Sequence, residues 1–340
     1  MSRRTRTLLV SAALAAVLGI LGGTVRVPYV ALGPGPTFDV LGEAAGATVL
    51  QVEGTETFPT SGHLNMTTVS VVDDVTLFGA LGLWASGRNA LVPREEVFPP
   101  QLSEEQVQQQ NVQLFEDSES RAETAALRHL GYPTAVVVDQ VAGGQAADGR
   151  LEPGDRLLAV GDRPVGEARD VIDALAGTSP GQPVDVRFRR ADGPERTESL
   201  VLGAGEDPDR GYLGIGVADQ PDVDFEVTIS LADVGGPSAG LMFALGIVDK
   251  LTPGELAGGR FVAGTGEIAP DGAVGPIGGI PFKMLRASEA GATVFLVPAD
   301  NCAEALSRTP DGLQLVRVED LAGAVSALEG LAAGTPAPTC

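Results

Sequence analysis

The sequence predicts an α+β chain of two domains behind one N-terminal membrane helix. Three observations carry this. The 340 residues exceed one ordinary domain, and 44% of them are hydrophobic, enough for more than one core. An uncharged apolar stretch follows three arginines at the start. Runs rich in β-branched residues alternate with helical patterns along the rest. The formal charge of -22, with no basic cluster beyond the extreme N-terminus, excludes a nucleic-acid partner and reads as solubility.

Arg3, Arg4 and Arg6 (residues 1–6) precede the uncharged stretch from Thr7 to Val25, which Arg26 closes. At about 1.5 Å per residue that stretch just crosses a hydrocarbon core of about 30 Å. The charge asymmetry predicts a cytoplasmic N-terminus and extracytoplasmic domains after Val27, with lipid as the partner of residues 7–25. The rival reading is a cleaved signal peptide, although "GGTVRVPYV" offers no clean small-x-small site.

Residues 26–43, with Pro28, Pro34 and Pro36 among glycines, read as an extended stalk. Residues 44–130 begin with the strand-like "TVLQVEG" and "HLNMTTVSVV". "VTLFGALGLWASG" (75–87) is too short to span a bilayer and reads as a core or interfacial helix. A long helix is then expected from Ser103, its N-terminal signal, to a stop at Gly131. Two histidines, His63 and His129, lie in no metal-binding motif, and no cofactor is implied. For Cys302 and Cys340 two readings stand: a disulfide in an oxidising compartment, or one buried and one terminal thiol.

From residue 131 to 204 the order strand, turn, strand, short helix and two strands, with "LEPGDRLLAVGDRPV" at its centre, resembles a PDZ domain. The resemblance implies capture of extended peptides by strand addition. It puts "LGYP" (130–133), with Tyr132, at the carboxylate loop, Val136 and Val138 on the groove strand, and Val171 and Leu175 on the groove helix. Pro133 departs from the usual loop by removing a backbone donor. The acidic "GAGEDPDRG" (203–211) reads as a boundary, with a last domain over 205–335 and a tail over 336–340.

The stretch "GGPSAGLMFALG" (235–246) sets Ser238 behind Pro237, which suits the first position of a helix. The amides of such a turn, near Gly236, Ser238 and Ala239, point outward and suit a developing oxyanion. Gly235 and Gly236 would admit a substrate backbone, and Gly240 would keep the opening clear. A serine at a helix start is ordinarily a cap. What changes the reading is Lys283, set among Ile280, Pro281, Phe282, Met284 and Leu285. The chain has 21 arginines and only two lysines, Lys250 and Lys283. Only lysine can act as a base, once burial lowers its pKa by roughly 3 units.

"GGPSAGLMFALG", "AGTGEIAPDGAVGPIGGIPFK" and "ATVFLVPADN" resemble the proteolytic domain of Lon-type serine proteases, including the 45-residue separation of serine and lysine. The resemblance implies Ser238 as nucleophile, Lys283 as general base and then acid, and Thr265 as the partner orienting the amine. It departs at Gly235, where many members carry an acidic residue, with Asp233 as a substitute. "SGHLNMTTVSVV" and "EDSESRAETAALRHLG" resemble the start of the same fold, which implies a PDZ module inserted in the protease domain, with a PDZ module preceding that domain as the alternative. No GxxxxGK[ST] motif is present, so no ATPase is expected. The expectation is a membrane-anchored, ATP-independent PDZ–Lon endopeptidase acting on proteins or peptides with flexible termini. Ring-like homo-oligomers are a further implication of the resemblance. The alternatives are a non-catalytic membrane scaffold binding partner C-termini and a serine that cleaves only its own chain.

Overall fold

A computed structural model describes residues 3–191, 193–232 and 234–340. The principal elements, in chain order, are α1 (Arg3–Thr24), β1 (Tyr29–Asp39), β2 (His63–Val72), α2 (Leu77–Ala85), β3 (Ala90–Pro93), α3 (Glu104–His129), β4 (Thr134–Val141), β5 (Asp155–Val160), α4 (Ala168–Leu175), β6 (Pro183–Arg190), β7 (Glu195–Val201) and β8 (Ile215–Pro221). They continue with α5 (Gly240–Leu251), β9 (Phe261–Gly264), α6 (Ile280–Ala290), β10 (Val294–Pro298), α7 (Cys302–Ser307), β11 (Gln314–Val318) and α8 (Leu321–Ala332). The fold class is α+β, as the sequence predicts.

The chain divides into two compact units. One comprises residues 1–52, 56–122 and 227–340, the other residues 53–55 and 123–226. In the first, a six-stranded sheet runs β11-β10-β9-β2-β1-β3. β9, β10 and β11 are parallel to one another and β9 is parallel to β2, while β1 is antiparallel to both its neighbours. Helix α5 is buried from Gly240 to Asp249, the continuous apolar run that "LMFALGIV" encodes. α6 packs Ile280, Met284 and Ala287 against Ala263, Phe295 and Val297.

The expected stalk is instead strand β1, inside this sheet. Val30 and Ala31 are fully buried, and Tyr29–Leu32 pair with β3 on one side. The prolines fit because β3 ends at the level of Leu32, leaving only β2 beside Pro34 and Pro36, where the register shifts.

Helix α3 starts one residue after Ser103 with a reciprocal cap: the Gln106 amide donates to Ser103 Oγ, and the Ser103 amide to Gln106 Oε1. It stops where Gly131 takes a left-handed φ of 82°. α1 is 22 residues long with a mean hydropathy of 2.0 in its best window, long and apolar enough to cross a membrane, and only Gly22 on it is buried.

In the second unit an antiparallel sheet runs β7-β6-β5-β4-β8. Val136, Val138, Leu157, Val171, Leu175, Val186 and Phe188 form its core. This unit extends to Glu226, past the boundary expected at 204, because β8 pairs along β4 from Ile215–Val141 to Pro221–Thr134. The acidic turn over 203–211 is therefore a loop inside the unit.

Candidate active site

Ser238 stands in the turn just before α5. Its helix has Ala239 as N-cap and Gly240 as first residue, so the serine precedes the first turn instead of lying within it. The reason is visible in where the carbonyls go. Ser238 O accepts from the Gly266 amide (2.9 Å) and from Thr265 Oγ1 (3.0 Å), while Pro237 O accepts from Ser118 Oγ (3.0 Å). These bonds tie the turn to α3 and to the segment after β9, and leave no helical ladder over 237 and 238. Gly240 does not keep an opening clear. It is buried, and a Cβ there would stand 2.7 Å from Ile268 Cγ2 and 2.9 Å from Ser118 Oγ.

Lys283 enters from the first turn of α6, where Gly279 takes a left-handed φ of 72° and Pro281 opens the helix. Lys283 is 3% exposed and Thr265 fully buried. Lys283 Nζ lies 2.7 Å from Ser238 Oγ and 2.8 Å from Thr265 Oγ1. Burial pushes the Lys283 pKa down to about 7, against the opposing pull of the Glu267 carboxylate. Near neutral pH a large share of the amine is therefore uncharged, and its lone pair is within reach of the serine proton. Thr265 spends its own proton on the Ser238 carbonyl, so its oxygen accepts from the lysine and fixes where the amine points.

A cavity of about 350 Å³ opens over this group, lined by Phe38, Met66, Val69, Ile277, Glu267 and the 234–239 turn. Of the amides expected to face an oxyanion, Gly236's is unavailable: it donates to the Asn111 carbonyl of α3 at 2.9 Å. The Ser238 and Ala239 amides have no partner among the described residues. Asp233 lies outside the described residues.

Sequence reasoning did not find Glu267, Asn111 or Ser118. Glu267 stands two residues past Thr265, in the same stretch as the quoted motif, and lines the cavity. The α3 residues carry no local signal, lying more than a hundred positions before the serine. His63 pairs with Asp39 (Nδ1 to Oδ2, 2.6 Å), away from the cavity lining. Cys302 and Cys340 are joined by a disulfide against the core that α6 and β10 share.

The expected peptide groove needs correction. Val136, Val138, Val171 and Leu175 are core residues. β4 has β5 on one side and β8 on the other, so it has no free edge for a strand to join. "LGYP" is the C-terminal cap of α3: the Gly131 amide donates to Arg128 O and the Tyr132 amide to Leu127 O, while the Tyr132 ring packs edge-on against Phe225. The open edge of the sheet beside α4 belongs to β8.

Residues 219–326 match the family model of the Lon protease (S16) C-terminal proteolytic domain, and residues 107–201 that of the PDZ domain. The Lon protease of Methylocella silvestris is 38% identical over 128 residues, covering 35% of this chain and 15% of that protein. The Lon protease of Heliobacterium modesticaldum is 38% identical over 91 residues, covering 26% and 11%. Lon protease 2 of Bacillus subtilis is 35% identical over 86 residues, covering 25% and 15%. The matched region thus spans at most 15% of these relatives' length. Among solved structures, the PDZ domains of SdrC-like proteins from Listeria monocytogenes and Listeria innocua are 19% and 20% identical. They cover 24% of this chain each, and 86% and 92% of their own, with a TM-score of 0.23 in both cases.

Proposed function

We propose that this chain, which carries a Lon-type proteolytic domain and a PDZ domain, is a serine endopeptidase held in a bilayer by α1 and working without ATP. The single observation that carries the reading is the buried Lys283 amine, 2.7 Å from Ser238 Oγ. In the proposed reaction the neutral amine takes the hydroxyl proton as Ser238 Oγ attacks the scissile carbonyl. The Ser238 and Ala239 amides hold the developing oxyanion, in the role first expected to include Gly236. The ammonium of Lys283 then protonates the leaving amine as the peptide C–N bond breaks, leaving an acyl ester on Ser238. Water then gives a proton to the same amine as it attacks the ester carbonyl, and the resulting ammonium protonates Ser238 Oγ as the acyl C–O bond breaks.

The site is a cleft in a folded domain, so substrates must reach it as flexible termini, loops or unfolded chains. The 22-residue apolar helix α1 supports a single-pass anchor, and the arginines before it support a cytoplasmic N-terminus. Peptide recognition belongs, on this reading, to the open edge of β8 facing α4. Ile215 and Val217 lie along that edge. The Ala168 amide donates to Asp219 Oδ1 and so fastens the start of α4 to β8, and the exposed Ile172 stands one helical turn later on the same face of α4 as Ala168.

Casein hydrolysis without nucleotide tests the activity. The wild-type chain should cleave, and Ser238→Ala and Lys283→Arg should not. Three equally inert chains that still bind peptide would establish a scaffold instead, and nicking confined to the same molecule would establish self-cleavage.

A further inference from the structure

We propose that α2 is a second membrane contact, a short interfacial helix that lies on the bilayer beside the outer end of α1; this rests on the reading of α1 as a membrane anchor. The sequence is compatible with a core or an interfacial helix at α2, and its exposed face removes the core alternative. Phe78 is 51% exposed, Leu81 49% and Trp84 65%, with Leu77 beside them, while only Ala80 is buried. Those four large side chains recur at one, four and seven positions from Leu77 and share one face. No acidic or basic residue lies on α2 itself. The two aspartates just before it are both paired, Asp73 with Arg94 at 2.8 Å and Asp74 with Arg26 at 2.7 Å.

What names lipid as the occupant is how α2 is fastened. The residues just after α1 bond to those at the start of α2: the Val27 amide donates to Val75 O at 3.0 Å, and the Leu77 amide to Val25 O at 3.2 Å. The Phe78 ring lies against Gly22, where any Cβ would collide with it. Gly22 is two residues from the end of α1, about 3 Å along its axis. A helix of 22 residues is about 33 Å long, so its last turn sits at the edge of a hydrocarbon core of about 30 Å. Phe78 is thereby held at that depth, and an apolar face fixed there meets the boundary where tryptophan and other amphipathic rings settle. The contact gives the protease unit two points of attachment, which restricts how it stands on the membrane.

Trp84 is the chain's only tryptophan, so its fluorescence reports α2 alone. The full chain is reconstituted in phosphatidylcholine vesicles, and its retention after alkaline carbonate extraction is recorded beside Trp84 quenching. Two quenchers are used: aqueous iodide, and phosphatidylcholine with a nitroxide high on the acyl chain. The proposal predicts retention, a blue-shifted emission, loss of most intensity to the lipid nitroxide and little loss to iodide. Leu77→Glu combined with Leu81→Glu should stay membrane-bound through α1 while Trp84 becomes open to iodide. A retained wild-type chain with Trp84 open to iodide and untouched by the nitroxide overturns the proposal and leaves the α1 anchor standing. Shielding from both quenchers overturns it in favour of a protein cover such as a second copy. Release by carbonate overturns the anchor and the proposal together.

Discussion

Thr265 Oγ1 lies 3.0 Å from the Ser238 carbonyl oxygen and 2.8 Å from Lys283 Nζ, so one buried hydroxyl ties the backbone of one residue to the side chain of the other. A hydroxyl has one proton, and here the carbonyl takes it. Thr265→Val keeps the shape and removes both bonds. It should lower kcat by on the order of tenfold or more, with KM little changed, since a correctly pointed general base is typically worth 10²–10⁴. Thr265→Ser should recover most of the loss, and steady-state kinetics on a short fluorogenic peptide checks both.

The depressed lysine also makes a stability prediction. Folding lowers the Lys283 pKa from the usual 10.5 to about 7. Below about 7 the ammonium is present in folded and unfolded chain alike, and burying it carries the full cost, about 5 kcal/mol from the size of that drop. Between about 7 and 10.5 the unfolded chain binds more protons, so this contribution makes the protein more stable as pH rises. Lys283→Met should therefore be more stable than wild type at pH 6, by a few kcal/mol, and the difference should shrink steadily toward pH 10. Urea denaturation at several pH values measures it.

How far these features were legible differs residue by residue. Ser238 and Lys283 sit in stretches whose local chemistry is unusual, a serine between glycines and a buried helix and a scarce lysine in apolar company, whereas Thr265 is marked by the family resemblance alone. For Gly236 the sequence misleads, because the acceptor that occupies its amide is Asn111 O, 125 positions earlier, which no local pattern encodes. The prolines of β1 predict a stalk because proline argues against sheet interiors in general. The local end of β3 that makes room for them is a tertiary fact. A boundary at 204 leaves β4 as an edge and so points to it as the groove strand. Strand β8, which covers β4, follows the turn that seemed to close the domain.

The reassigned groove carries its own test. Ile172→Glu, on the exposed side of α4, should weaken binding of apolar C-terminal peptides at least tenfold, since burying an unpaired carboxylate costs more than about 1.4 kcal/mol. Hydrolysis of a short peptide that occupies only the Ser238 cleft should be unchanged. Isothermal titration on the Ser238→Ala background separates the two. Unchanged binding would return the groove to an unassigned state.

Cys302 and Cys340 close a loop of 38 residues. On the chain-entropy account such a loop stabilises by about 4 kcal/mol. Cys340→Ser, or reduction of the wild-type bond, should lower Tm by several degrees without changing the pH dependence of cleavage, because neither cysteine lines the cavity over Ser238 and Lys283. Differential scanning calorimetry with and without reductant gives the comparison.

Having only two lysines makes the central claim directly measurable. In a chain carrying ¹⁵N-labelled lysine, with Lys283→Arg assigning the signals and Lys250 as internal reference, the Nζ resonance of Lys283 is followed from pH 5 to pH 11. A midpoint near 7, moving in step with the pH dependence of kcat/KM, is the predicted result. A Lys283 amine that stays protonated to the ordinary lysine range while cleavage is already fully active would contradict it.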